Sequence, residues 1–333
     1  MELFKKKVFI LLLFTGTFIT VSSSSWFSAW LGLEMNLIAF IPMIFDNNQI
    51  SSEASFKYFL IQVAGSIVFI ISSIIMSMNF NFISLINSKN IMMLIILMTL
   101  LLKMGASPFH FWFPNLIDGL SWINSLLLMT WQKLAPLSLL SFIIFNFKIL
   151  MILSVWPSLV SGALGGFNQT SLKKILTYSS IAHMGWMIAS IYFSVKLFMI
   201  YFFLYCMLLF ILLLSFLLMN VSSLTQLFMN DSLSSLSYWL LMINLLSLGG
   251  LPPFLGFFPK WLVFTLMVKF SIFTSITMII SSLVILFFYL RLAIQGLMII
   301  TTSHKYPSYF MVNFMPNHLS LFSLTFFLLI PIM

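Results

Sequence analysis

A chain of 333 residues in which 62% of side chains are hydrophobic and only 6% charged, with 39 Phe and a mean hydropathy of +1.14, has too little polar surface to cover a soluble domain. It reads as an all-α polytopic membrane protein, because open strand edges cannot be satisfied in lipid and the apolar runs approach the roughly 20 residues a helix needs to cross it. The formal charge of +9 does not point to nucleic acid: Lys5, Lys6, Lys7, Lys57, Lys89, Lys148, Lys173, Lys174, Lys196, Lys269 and Lys305 sit largely at the ends of those runs, where they anchor helices at the interface.

About eleven crossings are expected, at 4–21, 26–44, 57–78, 90–113, 120–145, 148–167, 174–193, 196–219, 236–268, 272–299 and 318–333. The opening MELFKKKVFILLLFTGTFIT has the basic start of a signal peptide, but a second apolar run begins at Trp26 after a short Ser-rich turn, so it reads as a retained first helix. Loops are short, the longest around Asn220–Ser235 and Thr301–Asn317, so 1–333 reads as a single membrane domain. Seven of these lysines fall on the side of the N-terminus and four on the other, which favours an N-terminus on the matrix or cytoplasmic side. A bias to Phe, Ile, Met, Asn and Lys suits an AT-rich gene and a mitochondrial genome.

Along this chain, a few polar residues fall inside apolar runs. Glu34 lies about half way along the second, where a carboxylate holds a proton or forms a structural pair with a lysine. Lys103 follows Leu100-Leu101-Leu102 in the fourth, and Lys133 is set in Met129–Pro136 in the fifth. Either would cost roughly 2.5–3.5 kcal/mol facing lipid, so both should face the bundle interior, where a lysine can change protonation state. His183, in the seventh, shares its segment with Thr177, Tyr178, Ser179 and Ser180; it and His110 are candidate proton intermediates or packed core histidines. Cys206 stands alone in the eighth, which leaves no intrachain disulfide and no cluster for a metal or iron–sulfur centre. Lys260, in the ninth, either handles protons or snorkels beside Trp261; Arg291, in the tenth, either anchors a helix end or pairs internally. Asp118 and Asp231 sit in loops.

Two crossings are interrupted alike. Gly105-Ala106-Ser107-Pro108-Phe109-His110-Phe111-Trp112-Phe113-Pro114 overlays Gly250-Leu251-Pro252-Pro253-Phe254-Leu255-Gly256-Phe257-Phe258-Pro259 at a constant offset of 145, matching Gly, Pro, Phe, Phe and Pro. Gly105, Pro108, Gly250, Pro252 and Pro253 break the helix and free backbone groups at membrane depth, which is tolerated only inside protein or beside a wet cavity. The breaks fall in the fourth and ninth crossings, an odd displacement, so two five-helix repeats, about 4–145 and 148–299, are expected to run in opposite senses, with 318–333 as a C-terminal helix. That is the architecture of ion-coupled transporters.

These residues, together with Trp26–Asn47, Glu53–Phe59, Leu101–Pro114, Met129–Pro136, Gly165–Lys174, Ser179–Met187 and Ser247–Leu262, closely resemble the subunit 2 family of mitochondrial NADH:ubiquinone oxidoreductase, respiratory complex I, in its arthropod form. The resemblance implies an antiporter-like membrane-arm subunit of the mitochondrial inner membrane that couples quinone reduction elsewhere in the complex to proton translocation. It implies no cofactor in this subunit, the complex itself using NADH, FMN, iron–sulfur clusters and ubiquinone. Partners would be neighbouring antiporter-like and small core membrane subunits, accessory subunits, phospholipids such as cardiolipin, protons and water. By position, Glu34 matches the glutamate that pairs with the broken-helix lysine Lys103, Lys133 the central lysine of the polar axis, and Lys260 the lysine beside the second break. Bacterial relatives have fourteen crossings, three more at the N-terminus. A free-standing cation/proton antiporter and a non-pumping scaffold subunit are the competing readings.

Overall fold

A computed structural model describes residues 2–46, 48–77, 88–145, 147–228 and 235–302. Every described element of length is helical, and the chain divides into two units, Met1–Ser154 and Val155–Met333. The first holds α1 (Glu2–Val21), α2 (Trp26–Ile44), α3 (Gln49–Ser77), α4 (Ser88–Met104), α5 (Trp112–Ile117), α6 (Trp122–Met129) and α7 (Trp131–Ile144). α8 (Lys148–Gly166) carries the chain into the second, with α9 (Leu172–Phe193), α10 (Val195–Met219), α11 (Leu224–Phe228), α12 (Ser235–Gly249), α13 (Phe257–Phe270) and α14 (Ile272–Thr302). The expected crossing at 318–333 lies outside the described residues.

Local chemistry sets several of these ends. Ser25 and Ser28 form a reciprocal capping box that starts α2. Ser121 accepts from the Asn124 amide to start α6, and Ser194 does the same from Leu197 for α10. α3 begins at Gln49 rather than 57 because its polar first turns support themselves: Ser51 donates to the carbonyls of Asp46 and Asn48, and Lys57 pairs with Glu53 at 3.4 Å. The expected crossing at 120–145 is divided at Thr130, whose φ of −117° and ψ of −74° separate α6 from α7. Pro136 has no amide to offer the Gln132 carbonyl, and the Thr130 hydroxyl bonds back to Leu126 at 2.7 Å.

Polarity is arranged inside out. Among the described residues, five segments are long and apolar enough to span a membrane: Trp26–Ile44, Gln49–Ser77, Trp122–Ile144, Val195–Met219 and Ile272–Gln295. Leu11, Phe18, Ile38, Phe56, Leu164 and Leu283 are all exposed, as lipid-facing side chains should be. α9 carries Thr177, Ser179, Ser180, His183 and Ser190, yet all five are buried. On α3 the buried stripe is Tyr58, Gln62, Gly65, Ser66 and Phe69, at helical spacing but small or polar where a soluble helix would be aliphatic.

The two breaks share one backbone design. Gly105 (φ +69°) ends α4, with its amide bonded to the Leu102 carbonyl and the Ala106 amide to Leu101. Gly250 (φ +88°) ends α12, with its amide bonded to Ser247 and the Leu251 amide to Leu246. Both are left-handed glycine caps in which the next amide reaches back five residues. Phe109 then bonds to Ala106, and Phe254 to Leu251, each at 3.0 Å. The offset of 145 read from the sequence thus recurs as hydrogen bonds.

A side chain at Gly250 would meet both backbone strain and Lys260, whose Cδ and Nζ would lie 2.9 Å from an added Cβ. Gly250→Ala is therefore expected to lower the thermal unfolding midpoint in detergent, the left-handed conformation alone costing roughly 1–2 kcal/mol. Gly249→Ala, where the nearest atom would be 3.4 Å away, should leave the midpoint nearly unchanged. Equal midpoints for the two variants would contradict this account.

Candidate functional site

At the first break, the carbonyls released by Gly105 have neutral donors. Gln62 of α3 donates from Nε2 to the Lys103 carbonyl at 3.2 Å, and the Trp112 indole donates to Leu102 at 3.1 Å. The helix end is thereby satisfied without the lysine ammonium, whose Nζ lies 4.0 Å from Glu34 Oε1. The Lys103 side chain is 4% exposed and that of Glu34 20%, so a buried lysine is paired with a half-buried carboxylate at a distance too long for a hydrogen bond. Glu34 Oε1 has no hydrogen-bond partner among the described residues. Gly65 lets α3 lie close to α4: a Cβ there would come 3.0 Å from Leu102 Cδ2 and touch Lys103 Cγ at an ordinary 3.6 Å. Tyr58, within electrostatic reach of Glu34, is held edge-on to Phe40 at 5.3 Å and tilted against Trp112 at 6.1 Å.

Lys133 approaches the same break from α7. It is 1% exposed, and its ammonium lies 5.4 Å from the centre of the Phe113 ring. Phe113 Cβ in turn packs on Gly105, 3.2 Å from where a glycine Cβ would stand. Three ionisable groups from α2, α4 and α7 therefore surround one interrupted helix. His110 lies within the interruption, half-buried with its ring 4.2 Å from Phe111, and makes no ion pair or hydrogen bond to Glu34 or Lys103.

The second break uses a cation where the first uses an amide. Lys260, at the start of α13 and 6% exposed, turns back and donates to the carbonyls of Leu248 and Gly249 at 3.0 and 2.8 Å. Leu248 is the position equivalent to Lys103 at the offset of 145, so Gln62 and Lys260 serve matching carbonyls. A positive charge on a helix C-terminus is also favoured by the helix dipole. Lys260 does not snorkel, although Trp261 beside it is exposed. In the same unit His183 is buried, with Nδ1 2.9 Å from the Tyr201 hydroxyl and its ring 5.1 Å from that of Tyr205. Arg291 is half-buried and has no ion pair among the described residues.

Gln62, Trp112 and the tyrosines were not singled out by sequence reasoning. A lone Gln between Ile61 and Val63 was the available signal for Gln62, since an amide at membrane depth needs a partner as much as a charge does. Among the described residues no group of three or more His, Cys, Asp or Glu is placed to hold a metal ion.

Residues 23–287 match the family model described as NADH:quinone oxidoreductase/Mrp antiporter, transmembrane, and the chain belongs to that family. It is 43% identical over 331 residues to the NADH-ubiquinone oxidoreductase chain 2 of Anopheles gambiae, covering 98% of this chain and 95% of the relative. With the protein of the same name from Hylobates lar it shares 41% identity over 290 residues, 84% of this chain and 82% of that one. It is a multi-pass protein of the mitochondrial inner membrane. A chain of respiratory complex I from Thermus thermophilus has the same fold, with a TM-score of 0.83 at 21% identity over 98% of this chain and 79% of that one. A chain of the Mrp complex from Dietzia sp. follows at a TM-score of 0.75 and 14% identity, covering 85% and 59%.

The geometry of the first break has a measurable signature. Removing one member of a buried ion pair leaves the other uncompensated, whereas removing both does not. Glu34→Gln and Lys103→Met should each destabilise the protein, and the double variant should recover part of the loss, with a coupling energy of about 0.5–3 kcal/mol in a thermal or denaturant double-mutant cycle. Additive losses would mean that the pair contributes nothing.

Proposed function

We propose that this chain is a membrane-arm subunit of a proton-pumping NADH:ubiquinone oxidoreductase, in which Glu34, Lys103, Lys133 and Lys260 carry protons with His183 and His110 as intermediates. The observation that carries the reading is the Glu34–Lys103 pair, a buried lysine and a half-buried carboxylate beside an interrupted helix, too far apart to be locked as a hydrogen bond. Family membership and the names borne by its relatives support it. Electron transfer through NADH, FMN, iron–sulfur clusters and ubiquinone belongs to other subunits of that complex. This chain would pack against neighbouring antiporter-like, small core and accessory subunits and phospholipids.

The physical logic is electrostatic. A change of charge outside the chain, driven by quinone chemistry, alters the field at Glu34 and Lys103 and so the balance between paired and separated states. Separation exposes an uncompensated charge at low dielectric, which is relieved by moving a proton. Lys133, held over an aromatic face, is close enough to the same break to receive the next change of field. The shared backbone pattern at the two breaks supports inverted repeats over about 4–145 and 148–299, each built around one interrupted helix.

In assembled complex reconstituted into vesicles, Lys103→Ala should lower proton pumping and coupled turnover by about tenfold or more, with assembly intact on native gels. Normal pumping by a fully assembled variant would overturn the proposal. Cation transport by the chain purified alone would favour a free-standing antiporter instead.

A further inference from the structure

Gln62 is a buried amide inside an apolar helix, and the proposed function gives it nothing to do. It is 5% exposed, on the face of α3 that meets α4. An amide at that depth needs a partner, and Nε2 finds one in the Lys103 carbonyl at 3.2 Å. No backbone amide among the described residues reaches that carbonyl, because the helix stops at Gly105. Three residues further along α3, Gly65 lies against the lysine stem: a Cβ there would touch Lys103 Cγ at 3.6 Å and Cε at 3.7 Å. α3 therefore meets Lys103 both at its backbone oxygen and along its side chain.

The open carbonyls at the C-terminus of a helix carry a partial negative charge, roughly half an elementary charge. For an ammonium close by, such an end is a rival to any carboxylate. At the second break the helix end holds the ammonium: Lys260 donates to Leu248 and Gly249 at 3.0 and 2.8 Å. The residue 145 places after Gln62 is Met207, exposed on α10 and without an N–H to give. At the first break the Gln62 amide and the Trp112 indole occupy the Lys103 and Leu102 carbonyls, and the Lys103 ammonium stands 4.0 Å from Glu34 instead. A neutral donor on the helix end thus accompanies the paired lysine, and its absence accompanies the captured one.

We propose that Gln62 is a positioning residue: by occupying the Lys103 carbonyl it weakens the end of α4 as an anionic site and leaves the Lys103 ammonium to Glu34. Without the amide, that carbonyl and the dipole behind it compete for the same ammonium, and Lys103 is drawn off the carboxylate. A residue that merely plugged the broken helix would satisfy the carbonyl with no effect on the pair. The inference goes beyond the proton-carrying role proposed for Lys103 and rests on it.

Gln62→Met keeps the length of the side chain and removes the donor. In the thermal double-mutant cycle on Glu34 and Lys103, the coupling measured in a Gln62→Met background should fall to about half of its native value or less. In assembled complex in vesicles, the same substitution should lower proton pumping by about tenfold, with assembly intact on native gels. Gln62→His, whose Nε2 stands as many bonds from the backbone as the lost amide nitrogen, should restore most of the coupling and of the pumping. An unchanged coupling in Gln62→Met, or equal losses in Gln62→Met and Gln62→His, would overturn the positioning role. Lys103→Ala separates the two levels of argument: normal pumping there removes the proton-carrying reading, whereas impaired pumping there beside wild-type pumping in Gln62→Met removes the positioning role alone.

Discussion

A helix broken inside hydrocarbon releases carbonyl groups that water cannot reach, and much of this protein is organised around giving them donors. At Gly105 the donors are the Gln62 amide and the Trp112 indole; at Gly250 the donor is the Lys260 ammonium. The choice of donor decides what the nearby lysine is free to do. With its own helix end satisfied by neutral groups, Lys103 can turn to Glu34. Lys260 faces no carboxylate among the described residues and is held by dipoles instead.

The same constraint accounts for the distribution of polarity. Helices that meet the breaks place small or hydrogen-bonding residues inward, such as Gln62 and Gly65 on α3 and Ser179 and His183 on α9. They share the interior with buried aliphatic residues such as Leu100, Leu140 and Ile188, while further aliphatic and aromatic side chains face outward, where they cost nothing against acyl chains. The deep charges carry the proposed function because burial makes their neighbours' fields strong, and the packing that buries them also holds them at fixed separations.

Both breaks were legible in the sequence because Gly and Pro act locally: the left-handed turn at Gly105 and the missing amides after it are properties of those residue types. The membrane class and most helix spans were legible for the same kind of reason, apolar length. The division at Thr130 was not, since the proline in that run, Pro136, lies inside α7 and a threonine within an apolar run does not by itself mark where a helix parts. Gln62 and the tyrosines were missed because what an amide or phenol bonds to is set by packing between distant segments, and a tyrosine in an apolar run looks like one more hydrophobic residue. The bonding of Lys260 to Leu248 and Gly249, in place of an exposed position beside Trp261, likewise depends on how the chain turns between α12 and α13.

The two bonds made by Lys260 bear on how a charge can change at that place without damage to the scaffold. An ammonium has three N–H groups, and among the described residues two are engaged, by Leu248 and Gly249. The neutral amine still has two, so both carbonyls remain occupied when the third hydrogen leaves, and the nitrogen gains a lone pair facing away from the helix terminus. The end of α12 would therefore keep a donor for each of these carbonyls in either charge state of Lys260, although the charged form holds them more strongly.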